Sequence, residues 1–191
     1  MMDISISPEY FERIYASDDD PWEYATSPYE RRKYTATLAA LPRRRFHCAL
    51  EIGCSVGVLT RMLAARCDSL FALDICATPL VAARSHCRGM RHVRFRRMRV
   101  PAEWPNRTFD LIVLSEVLYY QSRRDQSATT RKISRSLRAQ AMVVLVNWLG
   151  ETGTARSGDT AAKQFIRETG RLLHVVRQTR NSRYRLDVLA R

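Results

Sequence analysis

Residues 49–60 read Ala-Leu-Glu-Ile-Gly-Cys-Ser-Val-Gly-Val-Leu-Thr. A short apolar run carrying one acid, Glu51, leads straight into a turn with Gly53 and Gly57. Val58, Leu59, Met62 and Leu63 then recur at helical spacing, which predicts a helix over 57–67. Gly53 permits a tight turn with dihedrals that a side chain would forbid, and Gly57 lets the first helical turn come close to a ligand and to the sheet. The next apolar run, Leu70-Phe-Ala-Leu-Asp-Ile, puts Asp74 at a strand end, 21 positions after Gly53. Rossmann-type sites hold ribose hydroxyls with a carboxylate placed there.

The same alternation continues outward from this unit. Thr78 and Pro79 open a helix over 78–88, with Thr78 as its cap. A short strand follows around Val93 to Phe95, and Phe109–Ser115 is an unbroken apolar run of the doubly covered parallel type. A helix over 125–138, a strand over 141–146, a helix over 159–170 and an antiparallel pair over 172–178 and 183–190 complete the pattern. Strands alternating with helices predict an α/β, Rossmann-like fold. Residues 1–46 precede the first strand and read as a helical cap or lid of the same domain, with 47–191 as the core; Tyr10–Tyr15 and Pro28–Leu41 are the amphipathic segments.

Length and composition agree. A chain of 191 residues with 46% hydrophobic content buries one core. No apolar run approaches the roughly 18 residues of a membrane span, and the N-terminus lacks the layout of a signal peptide. The five cysteines, Cys48, Cys54, Cys67, Cys76 and Cys87, form no C-x-x-C pair, so buried free thiols in the cytoplasm are expected, with no metal site. The net charge of +13 comes from 29 arginines and three lysines against 19 acids. The arginines spread over 43–45, 91–99, 123–138 and 167–191, as a solvated basic surface would have them; a polyanionic partner such as RNA is the competing reading. No single-strand stacking motif accompanies that charge.

The loop narrows the ligand. It reads E-x-G-x-x-x-G in place of the G-x-G-x-x-G of dinucleotide sites, and no Walker lysine follows. A nucleoside without phosphates but with a cationic end fits better: Glu51 meets its amino group and the helix N-terminus its carboxylate.

Segment 49–60 resembles the first motif of class I S-adenosylmethionine-dependent methyltransferases, and Phe109–Tyr120 resembles their fourth-strand motif. More narrowly, Asp20-Pro-Trp-Glu-Tyr-Ala-Thr-Ser-Pro-Tyr-Glu-Arg31, the glycine block and Ser115-Glu-Val-Leu-Tyr-Tyr120 resemble the NodS family of nodulation N-methyltransferases. The resemblance implies a seven-stranded, mostly parallel sheet with helices on both faces and an antiparallel last strand. It implies S-adenosylmethionine as cofactor, S-adenosylhomocysteine as product, and a small-molecule or oligosaccharide amine as acceptor. On the cofactor side it implies Glu51, Gly53, Cys54 and Gly57 for the methionine part and Asp74 for the ribose. Ile75 and Met98 are placed against the adenine, with Ser115 nearby and Trp22 and Arg31 closing over from the cap. Glu116 and Tyr119 are implied to face the acceptor as catalytic groups.

Two departures stand out. Arg99 occupies the place of the acid that usually bonds the adenine amino group, and Arg138-Ala139-Gln140 replaces a Gly-Gly turn before the fifth strand. They keep a non-catalytic cofactor-binding protein open as an alternative. Asn147, Trp148 and Asp159 fall where acceptor loops sit, while His174, within Leu-Leu-His-Val-Val, reads as a structural histidine.

Overall fold

Apolar side chains at alternating and helical periods sort the chain into seven strands and six α-helices among the described residues. The computed structural model describes residues 3–43 and 45–191; Met1, Met2 and Arg44, the middle of the basic triplet 43–45, lie outside them. The strand set is the mostly parallel, seven-stranded α/β arrangement with an antiparallel last strand that the sequence implied. By its contacts the chain divides into two compact units, Ser7–Arg99 and Val100–Arg191 together with the first six residues.

In the unit Ser7–Arg99, the cap segment supplies α1 (Pro8–Ser17) and α2 (Pro28–Ala40). A parallel block follows: β1 (Ala49–Ile52), α3 (Val58–Ala64), β2 (Leu70–Asp74), α4 (Pro79–His86) and β3 (Val93–Arg97). β2 lies between the other two strands, with Glu51 opposite Ala72 and Asp74 opposite Arg97. Every residue of β1 and β2 is buried, as expected of strands covered on both faces. Leu50, Leu63, Leu70, Leu73 and Leu80 are almost wholly shielded from solvent, each worth about 1.5–3 kcal/mol of transfer free energy. The helices are shorter than the periodicity suggested. Thr78 precedes α4 but does not cap it; its hydroxyl donates to Glu12 Oε2 of α1.

In the other unit, β4 (Phe109–Ser115) is followed by a 3₁₀ turn (Leu118–Tyr120), α5 (Arg123–Ser136), β5 (Leu137–Trp148), α6 (Gly158–Thr169), β6 (His174–Arg180) and β7 (Tyr184–Ala190). β4 and β5 are parallel, and β7 runs antiparallel to both β5 and β6. The expected turn at Arg138-Ala139-Gln140 is instead part of β5. Pairing jumps from Phe109–Leu137 to Leu111–Met142, and Gln140 takes a left-handed φ of 58° that absorbs the extra residues. His174 stands exposed on β6, so it is no core histidine.

Candidate functional site

The glycine loop is built by backbone pairing. Where β1 ends, the amides of Gly53 and Cys54 both donate to Leu73 O, at 2.8 and 2.9 Å, which swings the chain across the end of β2. Gly53 has φ 80° and Gly57 φ 82°. A Cβ on Gly57 would lie 2.8 Å from both Cα and Cβ of Ala83, so the glycine is needed for helix-to-helix approach as well as for its dihedral. Ser55, between them, is also left-handed at φ 46°. Left-handed backbone at a non-glycine residue costs about 1–3 kcal/mol and persists only where its surroundings hold it.

Two groups hold Ser55. Its amide donates to Asp74 Oδ2 at 2.8 Å, and its hydroxyl shares a buried 2.6 Å hydrogen bond with the Tyr15 hydroxyl. Asp74 Oδ1 accepts from the Cys76 amide at 2.9 Å. Burial still pushes the Asp74 carboxyl up to about 6 against these amides, because they do not replace all the water it has lost. Glu51 is more extreme. It is 1% exposed, its Oε2 makes no close hydrogen bond, and burial pushes it up to about 8, against the neighbouring Thr60 hydroxyl and with a smaller push from the Asp74 charge. Thr60 is the one side chain that eases its burial, so a buried carboxyl oxygen beside a glycine loop still has room for a ligand's donor.

The other candidates of this unit divide. Trp22 and Ile75 pack in one cluster with Tyr15, Val56 and Cys76. Asp20 shapes the turn that presents Trp22: its carboxylate accepts from the amides of Tyr24 and Ala25, at 2.9 and 2.8 Å. The Trp22 ring then stacks on Tyr24 at 5.7 Å and meets Tyr15 edge-on at 5.4 Å. Met98 is half-buried, and its amide extends the β2–β3 pairing to Asp74 O at 2.9 Å. The Cys54 side chain lies in an apolar cluster with Ala72, Leu80 and Phe95, so only its backbone belongs to the loop. Arg31 and Arg99 are exposed, the first on α2 and the second beyond β3.

The acceptor-side candidates are in the second unit. Ser115 closes β4 and is buried. Glu116 then leaves the strand with φ 58°; its amide still donates to Val146 O at 2.9 Å. Its side chain turns back to serve the next position of the ladder: Oε2 accepts from the Trp148 amide at 2.7 Å and from the Tyr119 hydroxyl at 2.8 Å. Tyr119 is buried and packs on Tyr120 with ring centroids 4.5 Å apart. Asp159, read from sequence as part of an acceptor loop, is occupied elsewhere. Lys163, Arg180 and Arg185 surround it, and their hydrogen bonds and charges hold its carboxyl down at about 2.

The sequence reading does not single out Tyr15, Ser55 or Glu12. Glu12 reaches 65 positions along the chain, accepting from the Ala77 amide at 2.8 Å and the Thr78 hydroxyl at 2.7 Å. The one local sign was that Glu12 and Tyr15 sit three apart on an amphipathic helix, and so share a face.

The chain is similar to known proteins. Residues 9–152 match the sequence family described as nodulation protein S (NodS). Nodulation protein S of Bradyrhizobium diazoefficiens is 35% identical over 104 residues, 53% of this chain and 49% of that protein; the match thus spans about half the length of the relative. A solved structure from Pseudomonas syringae, assigned as a candidate methyltransferase, is 31% identical with a TM-score of 0.73, over 85% of this chain and 99% of that one. The N-methyltransferase NodS of Bradyrhizobium japonicum WM9, solved with S-adenosyl-l-homocysteine, has the same fold, with a TM-score of 0.82 and 24% identity over 95% of this chain and 96% of that one. With a family match running from α1 to beyond β5, the chain belongs to the NodS family.

Proposed function

We propose that this chain is an S-adenosylmethionine-dependent methyltransferase that N-methylates a small amine, such as the free amino group of a deacetylated chitooligosaccharide or a related amino sugar. The observation that carries this reading is the buried Glu51 Oε2 beside the Gly53–Gly57 turn, with Asp74 at the end of the adjacent strand. Glu51 fits the amino group of the cofactor. Asp74 spends one bond per oxygen on amides and keeps lone pairs for the ribose hydroxyls. Trp22, Ile75 and Met98 supply apolar surface for the base. The family supports the reading, and its NodS neighbour was solved with the product of such a cofactor.

When bound, the cofactor supplies a methyl group already activated on a positive sulfur, so the chain has to position the acceptor and handle a proton. An amine needs no strong base. Tyr119 donates a hydrogen bond to Glu116, which turns the phenol oxygen into an acceptor for an N–H of the amine. The proton that the product ammonium sheds passes to the phenol oxygen as Tyr119 hands its own hydroxyl proton on to the Glu116 carboxylate. Glu116 can do both tasks because its left-handed backbone and the Trp148 amide fix the carboxylate. The five cysteines are all buried free thiols, in keeping with a reducing, cytoplasmic setting. Among the described residues no helix is long and apolar enough to cross a membrane.

Transfer of labelled methyl to glucosamine oligomers, together with calorimetry using S-adenosylhomocysteine, tests the reading. Expected are binding of S-adenosylhomocysteine and labelled product on the free amine. Absence of binding overturns the cofactor assignment; binding without transfer to any amine overturns the acceptor assignment.

A further inference from the structure

We infer that Tyr15 and Glu12 of α1 are positioning residues for the cofactor-binding carboxylate Asp74, acting through the two loops that flank it. The inference rests on the cofactor reading above. The inner face of α1 carries Pro8, Phe11, Glu12 and Tyr15 at helical spacing, and three of these four touch those loops directly. Tyr15 bonds Ser55 Oγ in the glycine loop at 2.6 Å. Glu12 takes the Ala77 amide and the Thr78 hydroxyl beyond β2, and the Cys76 thiol reaches Pro8 O at 3.8 Å. The two loops are in turn the source of both amides on Asp74, Ser55 N on Oδ2 and Cys76 N on Oδ1. One helix face thus clasps the donors on either side of a single carboxylate.

Ser55 has reason to need such a clasp. Its amide is bonded to Asp74 while its backbone is left-handed, a conformation that a serine holds only where its surroundings support it. The Tyr15 hydroxyl is the side-chain partner that keeps it there, and it is well protected: Tyr15 is 5% exposed, and the Trp22 ring lies against it. Its burial and the neighbouring Asp74 charge raise the phenol far above its ordinary range, so it remains a neutral partner throughout the working pH range. Glu12 acts at the opposite side, tying down Ala77 and Thr78 where the chain leads from β2 into α4.

Tyr15→Phe keeps the ring and its packing and removes one hydroxyl. Two measurements test it on the full chain. The first is amide exchange at 54–57 in the free protein, expected to rise about 5-fold or more when the hydroxyl is lost. The second is calorimetric affinity, expected to weaken about 5- to 10-fold for S-adenosylhomocysteine, and equally for 5′-methylthioadenosine, which keeps the ribose and lacks the amino-acid end. Equal losses point to the ribose carboxylate; a loss confined to S-adenosylhomocysteine overturns the route through Asp74. Ser55→Ala is expected to weaken binding similarly, and the double variant no further than either single one. Additive losses overturn the coupling. Faster exchange with unchanged affinity for both ligands overturns the positioning role, since the contact would then be merely structural. Unchanged exchange overturns the clasp itself. If the unaltered chain bound neither ligand, the cofactor reading would fall and the positioning role with it, while the exchange result would still report on the clasp.

Discussion

The two units of this molecule treat their buried acids in opposite ways. In Ser7–Arg99 they are left without a cation among the described residues: Glu51 is eased only by the Thr60 hydroxyl, Asp74 by loop amides, and burial pushes the carboxyls up to about 8 and about 6. In Val100–Arg191 they are spent. Asp187, wholly buried, is chelated by Arg185 through Nε and Nη2 at 2.8 and 3.0 Å, and Arg185 also reaches Asp159 at 2.9 Å. Buried charge is costly unless paired. An unpaired acid kept at that cost marks a place for a ligand, and a fully paired one marks scaffold. Glu116 falls between, since the Tyr119 hydroxyl and the Trp148 amide that donate to it are neutral groups of its own chain.

Breaking the spent network has the largest expected effect on stability. Arg185→Ala removes both guanidinium bonds from Asp187, which is 0% exposed, and leaves it the Gln178 amide. It is expected to cost about 3 kcal/mol in chemical denaturation, the lower end for a buried pair broken on one side, because the Gln178 amide remains. If the comparison between units is right, the affinity of whatever variant protein remains folded for S-adenosylhomocysteine stays within about twofold of the unaltered chain. A parallel collapse of affinity would show that the acids of the second unit are not scaffold alone.

Next comes Gly57→Ala. The added Cβ meets Ala83 at 2.8 Å, and an L side chain is strained at φ 82°. Overpacking and strain together cost about 2–4 kcal/mol, and here affinity is expected to fall along with stability, by more than tenfold. Unchanged binding would detach the glycine turn from the ligand.

How these features relate to the sequence depends on their reach along the chain. The glycine loop and Asp74 were legible because strand, turn and carboxylate follow one another within 26 residues, from Ala49 to Asp74, with periods and spacings that report local geometry. The partners of that loop were not legible, because Tyr15 meets Ser55 across 40 positions and Glu12 meets Ala77 across 65. Asp159 was misread for the same reason. Lys163, one turn further along α6, is visible as a pair, but Arg180 and Arg185 arrive from strands whose register only the fold sets. The start of β5 was read as a turn because Arg138-Ala139-Gln140 stands where the resemblance implies a Gly-Gly turn; the left-handed Gln140 lets a bulge sit inside a strand. Propensity reports what a segment prefers, and pairing with β4 overrides it.

Glu51→Gln is a finer probe, since it changes charge at nearly constant shape. A carboxyl whose folded pKa is raised binds more protons folded than unfolded between about 4.3 and its folded value. Its contribution is therefore fully present below about 4.3 and is lost as pH rises through about 8. Asp74 acts in the same direction up to about 6. Asp159, depressed to about 2, contributes only above that range and leaves the window flat. Glu51→Gln is expected to stabilise the free protein at pH 8 by about 1–2 kcal/mol, to flatten the decline between pH 5 and 8, and to weaken S-adenosylhomocysteine about tenfold. Calorimetry at pH 7.5 in buffers of different ionisation enthalpy should show a proton released as the cationic amino group charges Glu51, and no such release in the variant. A variant less stable at pH 8, or proton release that survives it, would mean that Glu51 is not the unspent acid.

The smallest effect on stability is expected at Glu116. In Glu116→Gln the carbonyl oxygen can still accept from both the Trp148 amide and the Tyr119 hydroxyl, so the end of β5 and the phenol stay where they are. Stability should therefore move by less than about 0.5 kcal/mol, and affinity for S-adenosylhomocysteine should not change. The amide cannot take a proton, so methyl transfer to an amine acceptor should slow by about 10²-fold, the lower end of what a positioned base contributes. Tyr119→Phe removes the group between Glu116 and the acceptor and should slow transfer to a similar extent, with the double variant little worse than either one, because the two act as a unit. Full turnover in Glu116→Gln would move this carboxylate to the side of Asp187, as a strut for β5, and would place the acceptor's proton elsewhere.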